Sequence, residues 1–278
     1  MVTIITDSTA DLGPEISSEF GLCTIPLNVT IGGSTYRDGL EIDQQKLFGL
    51  VKKHGELPKT SAPSVGEFTR MFDQPGDHVF IGISSKLSAT IQNALLASAS
   101  FPAGKVHVID SLNLSTGVGL LALRAAELRD AGISAQQIEK ELLVSIPKVR
   151  TSFIIDTMDY LYKGGRCTAI QAIAGSVLKI HPVIDVRPDG TLGVKEKARG
   201  VRSKGFQLML NDFQAHVSEL DRKRVFITYT GETDADACFL SDEIKRIAAP
   251  DEVRITKAGS VISSHCGPNT IGILYLVK

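Results

Sequence analysis

Residues 79–110 read VFIGISSKLSATIQNALLASASFPAGKVHVID. This segment begins with the apolar run Val79–Ser84, continues with helical spacing of apolar residues over Ser88–Ser100, and ends with a second apolar run, Val106–Asp110. A strand, a helix and a second strand in succession form a crossover unit whose strands pair in parallel. We therefore expect a parallel sheet covered by helices in this part of the chain.

The same alternation extends from this segment towards both ends of the first half. Strand patterns over Val2–Asp7 and Thr24–Ile31 precede it, and Asp43–His54 has the apolar spacing of a helix with Asp43 as its N-cap. A long helix rich in Leu and Ala follows and runs to about Asp130. These patterns predict an N-terminal parallel-sheet α/β domain over residues 1–147.

The second half has a different pattern. The sequence Arg187-Pro-Asp-Gly190 is a turn signal between two strand candidates, Val183–Val186 and Leu192–Lys195. Helix patterns over Gly205–Leu220 and Asp234–Ile247 alternate with further strands: Thr151–Asp156, Arg224–Thr230, Val253–Lys257 and Ile271–Val277. Hairpins mixed with helices predict a C-terminal α+β domain with a mixed sheet over residues 148–278, with the boundary near Pro147.

Composition and charge exclude several classes of function. The 278 residues are 43% hydrophobic and 22% charged with a formal net charge of -1, which is ordinary for a globular protein and lacks the basic excess of a nucleic-acid-binding protein. The N-terminus shows no signal-peptide pattern, and no apolar run is long enough to span a bilayer. We expect a cytoplasmic protein without a membrane-spanning segment.

The four cysteines, Cys23, Cys167, Cys238 and Cys266, are far apart and form no C-x-x-C pair. We expect reduced, mostly buried thiols rather than a disulfide framework or a metal site.

Four polar clusters lie at or near predicted strand ends, where open α/β sheets place their ligands. They are Asp7–Asp11, Lys59–Ser64, Ser84–Thr90 and Ser263–Pro268. If Ser88 opens a helix, its hydroxyl and the neighbouring N–H groups can face an anion together. The alternative is that these hydroxyls only cap helices and form turns, and for Thr60 and Ser88 the pattern does not decide between the two.

Other candidates are ambiguous from pattern alone. A histidine beside Gly-Pro in a loop, such as His265, is usually only solvated, and Gly164-Gly165 before Arg166 is typical of a helix C-cap. The stretch Gly117–Ala122 matches the dinucleotide pattern G-x-G-x-x-A, but no strand ending in an acidic residue follows, so we interpret these glycines as close helix packing. A basic run (Lys195, Lys197, Arg199, Arg202, Lys204) is either a solvated face or a surface for a phosphate-bearing partner.

Taken together and in order, these clusters resemble the DegV family of bacterial fatty-acid-binding proteins. The matching segments span nearly the whole chain: Ile5–Leu12, Pro26-Leu27, Asp38-Gly39, Lys59–Ser64, Ile83–Ser88, Val108–Ser111, Gly164–Arg166, Lys197–Gly200 and His265–Pro268. Each motif alone is weak, whereas the ordered set is specific. Ala62, Ala89 and Asn269 depart from the residues usual in the family.

The resemblance implies two α/β domains with one long-chain fatty acid in a tunnel between them, and no other cofactor. It implies that Thr60 and Ser88, with their neighbours Ser61 and Ala89, hold the carboxylate. Arg166 and His265 would then lie near the head-group end. Some members of the family present the fatty acid to a separate kinase, which makes an acyl phosphate.

The residue types suit such a ligand. Hydroxyls and N–H groups at a helix start satisfy a carboxylate by charge-assisted hydrogen bonds, and each buried methylene of the tail contributes roughly 0.8 kcal/mol. The alternative is a serine-dependent acyl hydrolase or transferase with Ser88 or Ser61 as nucleophile and His265 as base. No oxyanion-hole motif or orienting acid supports that alternative in the sequence.

Overall fold

The structure is a computed structural model that describes residues 2–167 and 180–278. In chain order, the elements before Pro147 are β1 (Val2–Asp7), α1 (Gly13–Glu19), β2 (Cys23–Ile25), β3 (Asn28–Ile31), β4 (Ser34–Arg37), α2 (Gln44–His54), β5 (Lys59–Ser61), α3 (Val65–Phe72), β6 (Asp77–Gly82), α4 (Thr90–Ser98), β7 (Val106–Asp110), α5 (Thr116–Asp130) and α6 (Ala135–Ser145).

The predicted parallel sheet is present in the first half, with strand order β2-β1-β6-β7 and every pairing parallel. Its central strands, β1 and β6, bury most of their residues, as expected of a parallel sheet covered on both faces. Residues 79–110 form two neighbouring strands and the helix between them, as predicted.

A second, antiparallel sheet of order β4-β3-β5 was not predicted. It arises because the predicted strand Thr24–Ile31 is two strands, which separate at Pro26-Leu27. Pro26 has no N–H group to donate, and the N–H group of Leu27 donates to Ser8 Oγ over 3.1 Å instead of to a strand. The prediction of a single strand was wrong. Because the chain breaks here, β3 leaves the parallel sheet and pairs with β5, which carries Thr60, in the second sheet.

After Pro147 the elements are β8 (Val149–Ile154), α7 (Asp159–Gly164), β9 (Ile180–Val186), β10 (Leu192–Arg199), α8 (Ser203–Ala215), β11 (Leu220–Tyr229), α9 (Asp234–Ala248), β12 (Glu252–Lys257), α10 (Ser260–Cys266) and β13 (Ile271–Val277). The sheet order is β10-β9-β8-β13-β11-β12, and only β11 and β12 pair in parallel. The predicted mixed sheet and the hairpin at Arg187-Pro-Asp-Gly190 are therefore present. The change of sheet falls at Pro147, and the division into domains 1–147 and 148–278 stays a prediction.

Helix α5 joins the two halves. Its buried residues pack with Leu12 and Ile109 of the first half and with Phe226 and Leu274 of the second. A Cβ atom on Gly119 would lie 2.7 Å from Leu12 Cδ2 and 3.0 Å from the Ala10 carbonyl oxygen. The glycines of the G-x-G-x-x-A stretch therefore serve close packing, as interpreted from the sequence.

Several predicted helix bounds were wrong by a few residues. The helix predicted over Ser88–Ser100 begins at Thr90, and the helix predicted over Gly205–Leu220 ends at Ala215, because Leu220 already begins β11. Among the cysteines, Cys167 and Cys266 are buried, whereas Cys23 and Cys238 are exposed, so the expectation of mostly buried thiols was only half right. Within the two described ranges, no helix is long and apolar enough to cross a bilayer.

Candidate functional site

A cavity of about 270 Å³ lies between the two halves of the molecule and has walls from both. All six residues predicted to bind the ligand line it: Thr60, Ser61, Ser88, Ala89, Arg166 and His265. Most of the remaining wall is aliphatic: Leu27, Ile83, Leu87, Leu114, Leu161, Leu192, Val261 and Ile262. The structure thus brings together polar residues that are up to 205 positions apart in sequence, on an apolar wall.

Thr60 and His265 form the central polar contact of the cavity. Thr60 lies on β5, where it pairs with Val29 of β3, and its Oγ1 is 2.7 Å from His265 Nε2. His265 lies in the last turn of α10, so its predicted position in a loop was wrong. A local pattern could not reveal this contact, because it depends on the packing of α10 against the first half.

Two carboxylates that sequence reasoning left without a role hold the start of α10. Asp11 Oδ1 accepts from the Gly259 N–H group, and Asp38 Oδ1 accepts from the Ser260 N–H group, each over 2.7 Å. Both carboxylates are buried and belong to the first half. They satisfy N–H groups that a helix start leaves without intrahelical partners, and they fix a helix whose residues wall the cavity.

Ser88 precedes α4 rather than opening it, since Ala89 occupies the N-cap position. Its Oγ lies 2.8 Å from Thr90 Oγ1 and accepts from the Thr90 N–H group over 3.3 Å. The half-buried Ser88 hydroxyl therefore sits at the positive end of α4, where an anion is favoured. The predicted helix start at Ser88 was therefore wrong by two residues, and the role of Ser88 in binding an anion stays a prediction.

Arg166 and the two glycines before it shape the opposite wall. Gly165 has φ +68° and ends α7, as the C-cap interpretation predicted. Gly164 has a second role, because a Cβ atom there would lie 2.7 Å from His265 Nδ1. Arg166 is exposed at the cavity wall and donates from Nη1 to the Gly164 carbonyl oxygen over 2.6 Å. The Arg166 guanidinium is therefore in contact with solvent and also lines the cavity.

Burial, with a smaller effect from the positive charge of Arg166, lowers the pKa of His265 to about 4. His265 is therefore neutral at pH 7. Its Nδ1 has no hydrogen-bond partner among the described residues, and its Nε2 faces the Thr60 hydroxyl. A neutral imidazole that donates from Nε2 leaves the Thr60 hydroxyl proton available for a ligand.

The hydrolase alternative receives no support from this geometry. Within the described ranges, His265 Nε2 is bonded to Thr60 rather than to Ser61 or Ser88, and no carboxylate accepts from Nδ1. Nor do the described residues bring three or more His, Cys, Asp or Glu side chains into an arrangement that could hold a metal ion.

The basic run lies outside the cavity wall. Lys195 pairs with Asp212 over 2.5 Å, and Arg202 lies between Asp156 and Asp236 at 3.8 and 3.4 Å. Lys197 and Arg199 are exposed. Two of these five cations are thus partly neutralised, Lys197 and Arg199 remain available on the surface of β10, and Lys204 is exposed in the first turn of α8.

Comparisons with known proteins agree with this architecture. Residues 1–278 match the model of a family described as "Uncharacterised protein, DegV family". A DegV domain-containing protein of Caldanaerobacter subterraneus is 30% identical over 286 residues, which cover 100% of this chain and 99% of the relative.

Two solved structures resemble the chain over its whole length. A fatty-acid-binding DegV family protein from Thermus thermophilus has a TM-score of 0.92 and 34% identity, covering 100% of this chain and 99% of its own. DegV of Bacillus subtilis, described as a fatty acid binding protein, has a TM-score of 0.88 and 28% identity with the same coverage.

Proposed function

Because this chain belongs to the DegV family, we propose that it binds one long-chain fatty acid and presents the carboxylate to a separate kinase. It acts in this proposal as a carrier and not as an enzyme on its own. One observation carries the proposal: the six predicted site residues line one cavity, and most of its remaining wall is aliphatic.

The polar residues suit an ionised carboxylate. Thr60 and Ser88 offer hydroxyl donors, and the N-terminus of α4 adds a positive partial charge beside Ser88. In the tautomer of neutral His265 that donates from Nε2 to Thr60 Oγ1, the Thr60 hydroxyl is free to donate its own proton to the carboxylate. Arg166 balances the negative charge from the exposed side of the wall.

The aliphatic walls suit the tail. Burial of each methylene contributes roughly 0.8 kcal/mol, so a long tail supplies most of the affinity and the head group selects an acid over other lipids. A buried cation is then unnecessary for tight binding, which agrees with the position of Arg166 at an exposed part of the wall.

Presentation to a kinase needs a carboxylate that can be reached from outside. Ser61, Ala89 and Arg166 are exposed while they line the cavity, so the head group lies at the accessible side. In the kinase reaction a carboxylate oxygen forms a bond to the γ-phosphorus of ATP as ADP leaves. The acyl phosphate carries more negative charge than the acid, and Arg166 can stabilise it.

The direct test is extraction of the purified protein with organic solvent followed by mass spectrometry. We expect one intact long-chain fatty acid per chain, and we expect Thr60→Val to lower that occupancy. A purified protein that carries no lipid and binds none of myristate, palmitate or stearate in titrations would contradict the proposal.

A further inference from the structure

A groove on another part of the boundary between the two halves is lined by acidic side chains. It comprises a cavity of about 230 Å³ and a neighbouring one of about 890 Å³, whose walls share Asp11, Asp38 and Gly259. Among the described residues, its walls and those of the candidate fatty-acid cavity have no residue in common. This region, called the acidic groove here, is therefore separate from the site described above.

Two buried carboxylates meet at Gly259 on the wall of the groove. A Cβ atom on Gly259 would lie 3.0 Å from Asp38 Oδ2, 3.2 Å from Asp38 Oδ1 and 3.3 Å from Asp11 Oδ1. Burial raises the pKa of both carboxyl groups, and the nearby charges of Asp38 and Asp7 raise the pKa of Asp11 further. When ionised, these carboxylates repel one another where little water screens them.

One oxygen of Asp38 has no donor. Its Oδ1 accepts from the Ser260 N–H group, whereas Oδ2 has no hydrogen-bond partner among the described residues, although Asp38 is only 2% exposed. The hydroxyls of Ser8 and Ser260 lower the pKa of Asp38 from nearby, but neither meets Oδ2 with hydrogen-bond geometry. Ser260 Oγ is likewise buried and unpartnered on the wall of the larger cavity. A buried carboxylate oxygen without a donor is costly, so this position favours a ligand that donates.

The protein itself supplies little positive charge to the acidic groove. Lys257 is the only cation of its described wall, and this exposed side chain lies 3.9 Å from Asp234. Further carboxylates lie at exposed positions on the wall of the larger cavity: Glu15, Asp43 and Glu232. Apolar side chains occupy other parts of that wall: Leu12, Pro14, Ile16, Ile42, Phe48 and Ile255.

A ligand that suits such a wall carries more than one positively charged donor, with apolar segments between them. An ammonium group offers three N–H donors and forms charge-assisted hydrogen bonds with carboxylates. Methylenes between two ammonium groups can pack on the apolar side chains. A metal ion is a poorer match, since the described residues bring no three His, Cys, Asp or Glu side chains into an arrangement that could hold one.

We propose that the acidic groove binds an aliphatic polyamine. One ammonium group donates to Asp38 Oδ2 and Ser260 Oγ, and a second lies at the exposed carboxylates of the larger cavity. This site is additional to the fatty-acid site, and the inference does not depend on the proposed function.

The test is isothermal titration of the purified full-length protein with spermidine at low salt. We expect saturable binding of one spermidine per chain. Butylamine has a single ammonium group and makes only one of the two sets of charged hydrogen bonds, so it should bind about tenfold more weakly or worse. Absence of saturable spermidine binding, or equal affinity for butylamine, would overturn the inference.

Variants locate the site. Asp38→Asn removes the charge while its amide oxygen can still accept from the Ser260 N–H group, and we expect spermidine to bind it about tenfold more weakly. The double variant Glu15→Gln and Glu232→Gln changes only exposed positions, so it should fold normally and bind spermidine about threefold more weakly. Asp242→Asn is the matched control, because it makes the same change of charge at an exposed position of α9 outside the groove.

Diffuse attraction of a polyamine to surface carboxylates is the competing explanation. Asp242→Asn would then weaken binding as much as the double variant does, and magnesium chloride would displace spermidine as effectively as 1,4-diaminobutane does at the same ionic strength. Either result would overturn the inference. Weaker binding in Asp38→Asn and in the double variant, with Asp242→Asn unchanged, would support it.

Discussion

At the scale of single residues, the head-group hydroxyls are the first target. Thr60→Val and Ser88→Ala each remove a hydroxyl that we propose donates to the carboxylate. A hydrogen bond to a charged group contributes about 1.5–3 kcal/mol, so each variant should weaken fatty-acid binding roughly tenfold to a hundredfold. Isothermal titration with palmitate measures the loss, and a thermal melt monitors the fold.

Ser85→Ala is the control for this prediction, because Ser85 is exposed in the same loop and does not line the cavity. It should bind like the unchanged protein. If Thr60→Val and Ser88→Ala lowered only the melting temperature and kept full affinity, their hydroxyls would be structural and the carboxylate would lie elsewhere.

Asp7 makes the free energy of unfolding depend on pH, with a sign opposite to that of most surface carboxylates. Burial raises its pKa from 3.8 to about 6, despite hydrogen bonds from Thr9 and Ile83 that act the other way. The folded state therefore binds this proton more strongly than the unfolded state. The stabilising contribution is complete below about pH 3.8, decreases as the pH rises towards 6, and is absent above that.

We expect the free energy of unfolding to lose about 3 kcal/mol from Asp7 across that window, at about 1.4 kcal/mol per pKa unit. Urea titrations at a series of pH values should show a flatter profile for Asp7→Asn than for the unchanged protein. Asp43→Asn, at the exposed N-cap of α2, should keep the original profile. Identical slopes in Asp7→Asn and the unchanged protein would show that folding does not raise the pKa of Asp7.

At the scale of elements, the approach of α7 to α10 decides where His265 lies. A Cβ atom on Gly164 would come within 2.7 Å of His265 Nδ1, which is closer than side chains tolerate. Gly164→Ala should therefore displace the imidazole from Thr60. The Thr60 hydroxyl then loses the partner that orients it, and we expect fatty-acid affinity to fall by about tenfold. Affinity per folded molecule is the quantity to measure.

Gly165→Ala provides the matched comparison on the next residue. Gly165 has φ +68°, and its added Cβ would meet nothing within 4 Å, so alanine there costs about 1–2 kcal/mol of backbone strain without moving His265. We expect a lower melting temperature with unchanged affinity. Equal affinities in Gly164→Ala and Gly165→Ala would show that the position of His265 does not matter to binding.

The sequence was a good guide to elements whose stability is local. The strands Val106–Asp110 and Ile271–Val277 were predicted to the residue, because short runs rich in Val and Ile and bounded by turn residues are typical of strands. Helix α3 was missed although Ser64 and Glu67 form a capping box, a signal readable from Ser-x-x-Glu. Helix α10 was missed for another reason: its start is held by Asp11 and Asp38, more than 200 residues away.

At the scale of the whole molecule, the site exists only because both halves meet. Thr60 and Ser88 come from the first half, whereas His265 and Arg166 come from the second. The ordered motifs predicted these residues as a group. Local patterns did not, because residues of these types also occur in helix caps, turns and solvated loops. The aliphatic lining could not be predicted, because the cavity wall and the core are built from the same Leu, Ile and Val side chains.

The exposed cations at and near the cavity affect how the proposed kinase would act on the bound fatty acid. Arg166 is exposed at the cavity wall, and Lys197 and Arg199 are exposed on β10 without lining it. A cation that touches the head group stabilises the acyl phosphate, whereas a distant cation on the surface changes only the encounter between the two proteins. The two kinds of cation should therefore have separable effects on the reaction.

We expect Arg166→Ala to reduce acyl-phosphate formation far more than fatty-acid binding, and Lys197→Ala and Arg199→Ala to raise the kinase concentration that half-saturates the reaction. The second effect should fade at high salt, because salt screens exposed charges that lie farther apart than the Debye length, which is about 10 Å at 0.1 M and shorter at higher ionic strength. The measurement is acyl phosphate produced from loaded protein, ATP and a cognate kinase, with Arg246→Ala on α9 as the control for an exposed arginine outside the cavity wall. Unchanged turnover in Arg166→Ala would assign that side chain a structural role only. The head group would then be phosphorylated without help from this chain's cations, since nothing else on the exposed side of the wall carries a positive charge among the residues that the structure describes.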